Sequence, residues 1–431
     1  MEKNELINNI EVLREIICIH YYFPPILSTA VIRNYYVACT FAKFFKNVHV
    51  LTSDNHIRFP IQERSLPSNV NVQSVYTLDY RRLLAGKTKI DSHASMKKKS
   101  SKLFHWLVNV QKSYPFSLLM AEGNLIYIYG AYRKAQKLIK QGTITTIYSS
   151  YGPYADHFVA YLLKRKYPHL KWIADYRDLQ IEPIYKNIVL LSYQKRIERK
   201  VLKKADLVTS ISDGLSQQLM KNGRPTKTVL RGVELRKPET QYEKFTVSYT
   251  GSLYFDYRDP RPLFSELKSM IDSGVIETSD LQILYAGRDG LRFSEWIVEA
   301  GLSNVFSNKE MVPQHEAKTI QNRSHINLLL TSSSPELTGV LTGKVFEYFE
   351  ALNPTLCLIN GVYDPEFEAL FLELNAGAVV YNPPISEGKM QSFILEKYTE
   401  WKSTHQVKST LNQEIVKSKY SWKSQIEKMI N

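Results

Sequence analysis

The sequence predicts an α/β protein built from two doubly wound domains, and three observations support this prediction. The chain has 431 residues, more than one hydrophobic core usually supports, so two domains of roughly 200 residues each are expected. Short apolar runs of strand length alternate with segments of helical periodicity, as in parallel βαβ units. After a polar segment at residues 236–244, which we interpret as an interdomain linker, the alternation starts again.

Composition limits the class of protein and of partner. The hydrophobic fraction of 44% and the aromatic fraction of 12% are typical of a globular chain rather than a disordered one. A net charge of +14 predicts an acidic partner, which charge alone leaves open among an anionic membrane, nucleic acid and phosphorylated substrates. The three cysteines have no metal-binding or CxxC spacing and are expected to be buried thiols in a reducing cytoplasm. No apolar run reaches the length of a membrane span, so we expect neither insertion nor export.

The chain opens with a strand, a loop and a helix, which is the start of a parallel α/β unit. We predict a buried strand at Ile16–Ile19, a helix from Thr29 to about Phe45 and a second strand at Val48–Leu51. Ligands of such sheets bind beyond the carboxyl ends of the strands, which places the loop Pro24–Ala30 and Arg33 at a cleft. The alternative is that Arg33 is an ordinary exposed helix residue.

Charged residues follow another predicted strand of the first half. Strands are predicted at Thr145–Ser149 and Trp172–Ala174, and the second is followed by Asp175, Arg177 and Asp178 in a loop. These side chains either line the cleft and contact a bound ligand, or form a self-contained ion-paired turn.

The second half repeats this arrangement. A strand at Phe245–Tyr249 ends in a loop of small residues containing Gly251 and Ser252, and Arg258 follows shortly after. Arg288 comes directly after the next strand. Both arginines are candidates for phosphate contacts, with surface ion pairs as the alternative. The remaining strands are predicted at Leu281–Ala286, Ile326–Leu330, Thr355–Ile359 and Ala378–Val380.

The segment LTGKVFEYFEALNP carries the strongest chemical signal. Its periodicity predicts a helix that begins near Gly343 and ends before Pro354. Lys344 lies in the first turn, where the helix dipole disfavours a cation unless an anion such as phosphate is bound at the glycine-rich N-terminus. Glu347 follows on the same face, about 4.5 Å along the axis, close to the spacing between a diphosphate and its ribose. The alternative is a solvated ion pair between Lys344 and Glu347.

A basic stretch in the first half predicts a peripheral membrane contact. Between residues 81 and 102 the only acid is Asp91, and the segment Leu103–Val108 that follows is apolar and aromatic. Cations beside interfacial aromatic residues suit an anionic bilayer surface, although a solvated loop is the alternative. The basic residues are Arg81, Arg82, Lys87, Lys89, Lys97, Lys98, Lys99 and Lys102.

Together these motifs resemble the family 4 glycosyltransferases of the GT-B type. The resemblance spans most of the chain, in the segments HYYFPPILSTAVIR, IYSSYGPYADHFVA, KWIADYRDL, VTSISDGL, VLRGVE, VSYTGSLYFDYRDP and LTGKVFEYFEALNPTL. It implies two Rossmann-like domains facing across a cleft, with the acceptor bound by residues 1–235 and the nucleotide sugar by residues 245–415. It also implies a C-terminal helix at residues 416–431 that returns to the N-terminal domain.

The resemblance implies an activity and three site positions. The activity is transfer of a sugar from a nucleotide diphosphate sugar, with retention of configuration, without a metal ion and without a cofactor. Glu347 matches the glutamate that binds the nucleotide ribose, and Gly251 and Lys344 fall in the loops beside the diphosphate. The family's other motif glutamate is absent: Gly339 stands eight residues before Glu347, unless Glu336 takes over that role. The opening loop has Ser28 and Ala30 where the family has glycines.

Cleavage of the sugar–phosphate bond places negative charge on the leaving diphosphate. We assign its stabilisation to Lys344, to the backbone N–H groups near Gly251 and Gly343, and to Arg258 or Arg288. Asp178 or Asp175 is expected to orient the acceptor. Because the diphosphate oxygen can take the proton of the acceptor, no enzyme base is required.

The expected setting is bacterial cell-surface polysaccharide or lipid-linked glycan assembly in the cytoplasm, with peripheral binding to the inner face of the membrane. Two alternatives differ in class. A GT-B-related sugar-nucleotide epimerase would need acids and a histidine at the site, and only His20 and His157 lie near predicted cleft loops. A non-catalytic basic protein would bind anionic lipid or nucleic acid; we expect no nucleic acid, because the basic stretch lacks base-stacking motifs.

Overall fold

A computed structural model describes residues 14–26, 29–54, 61, 63–77, 123–178, 190–221, 225–253, 257–335, 338–339, 341–382 and 388–430. The chain forms two compact units. Unit 1 comprises Met1–Leu230 together with Gln425–Asn431, and unit 2 comprises Arg231–Ser424. The basic stretch at residues 81–102 and Leu103–Val108 lie outside the described residues, so the membrane contact predicted there stays a prediction.

Unit 1 contains a parallel sheet whose strands carry apolar residues on both faces. Every residue of the first strand is buried, as expected for a strand covered by helices on both sides. The strands are β1 Glu15–Ile19, β2 Asn47–Ser53, β3 Val70–Val75, β4 Ile144–Ser150, β5 Lys171–Tyr176, β6 Leu207–Ser210 and β7 Thr226–Thr228. Their order in the sheet is β3-β2-β1-β4-β5-β6-β7.

The described helices of unit 1 pack on this sheet, and two of them have a side-chain N-cap, Asn124 and Ser212. Asn124 begins the second helix, because its side chain accepts hydrogen bonds from the N–H groups of Ile126 and Tyr127. The described helices are α1 Thr29–Phe41, α2 Leu125–Ile139, α3 Ala155–Lys166, α4 Leu191–Leu202 and α5 Asp213–Met220.

Unit 2 has a second parallel sheet, of order β10-β9-β8-β11-β12-β13. Its strands are β8 Phe245–Thr250, β9 Leu281–Ala286, β10 Phe306–Asn308, β11 Ile326–Ser333, β12 Thr355–Gly361 and β13 Gly377–Asn382. The helices are α6 Arg261–Asp272, α7 Gly290–Glu299, α8 Gln314–Arg323, α9 Gly343–Ala351, α10 Pro365–Leu374, α11 Lys389–Thr404, α12 Gln413–Ile415 and α13 Trp422–Ile430, whose last residues belong to unit 1.

Both sheets are doubly wound, and this determines where a ligand binds. In each sheet the strand order reverses beside the first strand, between β1 and β4 in unit 1 and between β8 and β11 in unit 2. Ligands of such sheets bind outside the carboxyl ends of the strands at this switch point. The loops that follow β1 and β4 in unit 1, and those that follow β8 and β11 in unit 2, are therefore the expected ligand-binding regions.

The predicted strands are present in both sheets, and the fold class is confirmed. Local predictions differ from the structure at several points. Asp175 is not in a loop, because β5 continues through Tyr176. The first helix ends at Phe41 rather than near Phe45. Cys18 and Cys357 are buried as expected, whereas Cys39 is partly exposed.

The segment 236–244, interpreted from sequence as a linker, packs on unit 2. The N–H of Tyr242 donates to the carbonyl oxygen of Arg323 at 2.9 Å. At the end of the chain, Lys171 of β5 donates to the carbonyl oxygen of Ile430 at 2.8 Å, so the C-terminal residues pack on the sheet of unit 1. Among the described residues, none of the helices has the length and hydrophobicity that crossing a bilayer requires.

Candidate functional site

Helix α9 presents Lys344 and Glu347 on one face, as predicted. The helix begins at Gly343, after Thr342 in extended conformation, and it ends at Ala351, followed by the C-cap residue Leu352 in the left-handed conformation (φ 69°). Lys344 Nζ lies 3.2 Å from Glu347 Oε2, and the side chains are 31% and 18% exposed. The pair is therefore partly buried at the helix N-terminus rather than fully solvated.

The loop after β8 lies directly beside Lys344. The N–H of Gly251 donates to the carbonyl oxygen of Ala286 at 2.9 Å, which joins the carboxyl ends of β8 and β9. A methyl group placed on Gly251 would lie 3.4 Å from Lys344 Cε. The structure thus brings together Gly251, Lys344 and Glu347, three residues predicted from sequence to form one nucleotide diphosphate site.

Arg258 and Ser252 complete this loop. Arg258 Nη1 donates to the carbonyl oxygen of Ser252 at 2.9 Å, and the Tyr249 hydroxyl donates to the same oxygen at 2.7 Å. Burial raises the pKa of Tyr249 well above its ordinary value, so its hydroxyl stays protonated. Arg258 is thereby fixed to the loop backbone at the end of β8.

Arg288 lies farther out than the other predicted cations. Its side chain is 56% exposed and its Nε is 3.9 Å from Asp289. The backbone beside it is fixed by the Tyr285 hydroxyl, which donates to the Gly251 carbonyl oxygen and accepts from the Asp289 N–H, both at 2.9 Å. Gly287 is required here, because a Cβ would lie 2.1 Å from the Gly251 carbonyl oxygen.

Arg231, which was not predicted from sequence, lies on the other side of Glu347. Its guanidinium donates to the carbonyl oxygen of Gly343 and lies 3.9 Å from Glu347 Oε1. The Glu347 carboxylate therefore stands between two cations, with Lys344 at one oxygen and Arg231 at the other.

These two cations determine the charge state of Glu347. Burial acts to raise the pKa of its carboxyl, but Lys344 and Arg231 outweigh burial and hold that pKa below its ordinary value. Glu347 is therefore ionised at neutral pH and can accept hydrogen bonds from a diol such as a ribose.

A second acid one turn further along α9 anchors the arginines. Glu350 accepts hydrogen bonds from Arg231 at 3.1 Å and from Arg236 at 3.2 Å. Arg236 also donates to the Glu347 carbonyl oxygen at 3.2 Å. Burial raises the pKa of Glu350, against the opposing effect of both arginines. Glu350 is thus a buried anchor, and Glu347 is the more accessible carboxylate.

Gly339, which stands where the resembled family has a glutamate, has a backbone role. Its φ of +70° lies in the left-handed region that favours glycine. Its N–H donates at 2.9 Å to Asp364, the N-cap residue of α10. Glu336, the alternative donor contact, lies outside the described residues.

In unit 1 the predicted residues Arg33 and Asp175 form a buried ion pair. The guanidinium donates two hydrogen bonds of 3.0 Å to the Asp175 carboxylate, and the two side chains are 6% and 0% exposed. Tyr148 and Thr209 donate to the same carboxylate at 2.8 and 2.7 Å. Burial opposes ionisation, but Arg33 and the hydroxyl donors hold the pKa of Asp175 below its ordinary value.

Arg177 and Asp178 lie at the carboxyl end of β5. Arg177 donates from Nε and Nη2 to the carbonyl oxygen of Tyr151 at 3.0 and 2.7 Å, which joins the loops after β4 and β5. Asp178 is exposed at the same edge. Of the residues predicted in this loop, Asp178 is therefore the one whose carboxylate faces solvent.

The two histidines that the epimerase alternative would use are fully buried in unit 1. Burial lowers the pKa of both His20 and His157 to about 3, so both are neutral at pH 7. His157 shares a hydrogen bond of 2.8 Å with Ser149. Among the described residues no group of three or more His, Cys, Asp or Glu side chains is arranged to hold a metal ion; the predicted metal independence stays a prediction.

Comparison with known proteins supports the architecture. A glycosyltransferase from Rickettsia africae is 13% identical, with a TM-score of 0.54 over 97% of both chains. The lipopolysaccharide outer core galactosyltransferase WaaB is 12% identical, with a TM-score of 0.53 over 97% of this chain and 98% of WaaB. Sucrose-phosphate synthase from Thermosynechococcus elongatus is 11% identical, with a TM-score of 0.53 over 96% of this chain and 97% of the synthase.

The chain has the GT-B fold. In GT-B terms, β1–β7 and β8–β13 are the two parallel sheets, and α9 follows the fourth strand of the second unit along the chain. No protein-family model matches the sequence, and no curated protein matches it. The likeness therefore concerns the fold, and the activity has to be argued from the site.

Proposed function

We propose that this protein is a glycosyltransferase that moves a sugar from a nucleotide diphosphate sugar to an acceptor, with retention of configuration and without a metal ion. The observation that carries the proposal is the Glu347 carboxylate, which lies between Lys344 and Arg231 at the N-terminus of α9 and beside Gly251. The GT-B fold and the glycosyltransferases among the compared structures support it.

Each residue of the unit 2 site has a distinct task in this proposal. Glu347 accepts the ribose hydroxyls. Lys344 and the first N–H groups of α9 stabilise the charge that develops on the leaving diphosphate, aided by Arg258. The N–H groups of Gly251 and Leu253, expected from sequence to contribute, instead donate to the Ala286 carbonyl oxygen and to Asp289. Arg288, which is exposed, contributes a further cation at the rim of the site.

The acceptor is proposed to bind at the carboxyl edge of the sheet in unit 1. Asp178 is exposed there and can orient a hydroxyl, and Arg177 fixes the loop beside it. Arg33 and Asp175, which were predicted to bind substrate, are instead assigned to holding β5, because their charged groups satisfy each other in the core.

We further propose that the acceptor is a glycan or a lipid-linked glycan of cell-surface polysaccharide assembly. The enzyme is proposed to work in the cytoplasm at an anionic membrane surface, without nucleic acid as a partner. The excess of basic residues, with a net charge of +14, supports an anionic surface. One compared structure, WaaB, is a lipopolysaccharide outer core galactosyltransferase, and its likeness to this chain supports this acceptor class.

A panel of nucleotide diphosphates and nucleotide sugars tests the donor assignment. The cognate nucleotide is expected to raise the melting temperature, because a ligand at about 100 times its Kd stabilises the folded state by about 2.7 kcal/mol. Lys344→Ala should abolish this shift, whereas Lys309→Ala, an exposed lysine of unit 2, should retain it. Binding of anionic lipid or nucleic acid with no response to any nucleotide would favour the non-catalytic alternative and overturn the proposal.

Arg231 provides a test through pH. Arg231→Gln removes one of the two cations that hold the pKa of Glu347 down, so that pKa rises and the carboxylate is protonated at a higher pH. Nucleotide affinity of the variant is expected to fall more steeply than that of the wild type as the pH is lowered from 8 to 5, because the Glu347 carboxylate of the variant is protonated at a higher pH. Calorimetry at both pH values measures this. Parallel pH profiles for the two proteins would contradict the role of Arg231.

A further inference from the structure

Three neighbouring helices of unit 1 have an unusual charge distribution. Helices α2, α3 and α4 lie on one side of the sheet, and α3 packs against both of the others. Within these three helices, all of whose residues the structure describes, the only acids are Asp156 and Glu198, which are 1% and 2% exposed. Every exposed charged side chain on the three helices is therefore Lys or Arg.

Apolar side chains interrupt this positive face. On α2, Leu125 and Tyr129 are 48% and 65% exposed, and they continue at i,i+4 spacing into Arg133 and Lys137. On α4, Tyr193 is 44% exposed and is followed by exposed Lys195, Arg196 and Arg199. Each of these two helices thus exposes an apolar or aromatic first turn and a basic remainder along its outer side.

The helix dipole does not account for this distribution. Cations near helix C-termini are favourable, but the same effect favours acids in the first turn. The first turns of α2 and α4 contain no acid, and the one acid in the first turn of α3 is the buried Asp156. The dipole is therefore consistent with the basic residues near the C-termini, but it does not account for the absence of exposed acids and the presence of exposed apolar residues in the first turns of α2 and α4.

We propose that the outer face of α2, α3 and α4, called here the basic face, binds an anionic lipid bilayer with the helices parallel to its surface. Basic side chains would approach the headgroups, while Leu125, Ile126 and Tyr129 enter the interface. Lipid fits better than nucleic acid, because aliphatic side chains gain nothing from phosphate and ribose but are stabilised by acyl chains. The basic face is the surface through which the proposed transferase would contact its membrane. The lipid-linked acceptor rests on the proposed function, but binding of the basic face to a bilayer requires no nucleotide sugar.

Sedimentation with vesicles tests the basic face. The full chain is incubated with vesicles of phosphatidylcholine alone or with added phosphatidylglycerol. The variant combines Arg133→Gln, Lys137→Gln and Lys140→Gln. The control combines Lys237→Gln, Lys309→Gln and Lys408→Gln, which removes the same charge from exposed lysines of unit 2. Each basic residue near an anionic membrane surface contributes about 1 kcal/mol to binding. The partition coefficient of the variant for anionic vesicles is therefore expected to fall on the order of 100-fold, whereas that of the control should change little.

A second variant separates insertion from charge. Ile126→Ser with Tyr129→Ser should lower the part of the binding that remains at high salt, where electrostatic attraction is screened. The proposal is overturned if the basic-face variant and the control bind equally, or if the wild type binds vesicles with and without phosphatidylglycerol equally. It is also overturned if the basic-face variant binds single-stranded DNA more weakly than the wild type does but binds anionic vesicles equally well.

Nucleotide-induced thermal shifts of the same variants keep the two proposals apart. Loss of vesicle binding with an unchanged nucleotide shift supports the basic face. If no nucleotide raises the melting temperature of the wild type or of any variant, the proposed donor site is wrong. The vesicle-binding results would still decide whether the basic face binds lipid.

Discussion

Glu347→Ala is expected to weaken nucleotide diphosphate binding by about 1,000-fold while the protein remains folded. The carboxylate is ionised and stands between Lys344 and Arg231, and in the proposed function it accepts two ribose hydroxyls. Hydrogen bonds to charged groups contribute about 1.5–3 kcal/mol each, so the loss of two amounts to about 4 kcal/mol. Isothermal titration calorimetry with the nucleotide identified by the thermal-shift panel measures the change.

Two further variants make this result specific. Glu347→Gln keeps the volume and one acceptor oxygen, and should fall between the wild type and Glu347→Ala. Glu295→Ala removes an exposed glutamate that pairs with Arg292 on α7, and should leave the affinity unchanged. An affinity for Glu347→Ala equal to that of the wild type would exclude the ribose role.

Arg33→Ala is expected to destabilise unit 1 by about 3–5 kcal/mol, because it leaves the Asp175 carboxylate buried without its cation. Hydrogen exchange followed by mass spectrometry can report this for β5 peptides separately from unit 2. The double variant Arg33→Met with Asp175→Leu should recover much of the loss, since apolar replacement of both partners removes the unpaired charge.

The pH dependence of this pair has a defined sign. The folded-state pKa of Asp175 is lowered, so the stability it contributes is present above the ordinary Asp pKa of about 4 and is lost as pH falls through the lowered value. The difference in the free energy of unfolding between the wild type and Arg33→Ala should therefore become smaller at acidic pH. If Arg33→Ala instead changed only the KM for the acceptor, with exchange unaltered, the structural role would be wrong and a substrate role for Arg33 would be favoured.

The fold was largely predictable because most strands are buried on both faces and therefore appear as apolar runs. The exceptions have a physical reason. β3 has the sequence VNVQSV and β7 the sequence TKT, and both are edge strands with exposed or partly exposed residues. β10, with the sequence FSN, is the edge strand of the second sheet. Short edge strands need only one partner and little burial, so they lack the apolar run on which the prediction depends.

The candidate site was predictable only where its residues are close in sequence. Lys344 and Glu347 share one face of α9, which helical periodicity reveals. Arg231 reaches the same carboxylate from more than 100 positions away, as its contact with Gly343 shows. Arg33 and Asp175 illustrate the opposite error: charge near strand ends indicated a ligand site, but the two charges neutralise each other in the core.

The contacts of Arg231 and Arg236 with α9 have a consequence for exchanging the second unit between proteins of the GT-B fold. A chimera joined within the apparent linker, after Arg236, would combine Arg231 and Arg236 with a foreign helix, and the reciprocal chimera would leave Glu350 buried without these two cations. A junction immediately after Leu230 transfers the arginines and the helix together. Chimeras joined after Leu230 are therefore expected to be soluble, whereas chimeras joined within residues 236–244 are expected to misfold.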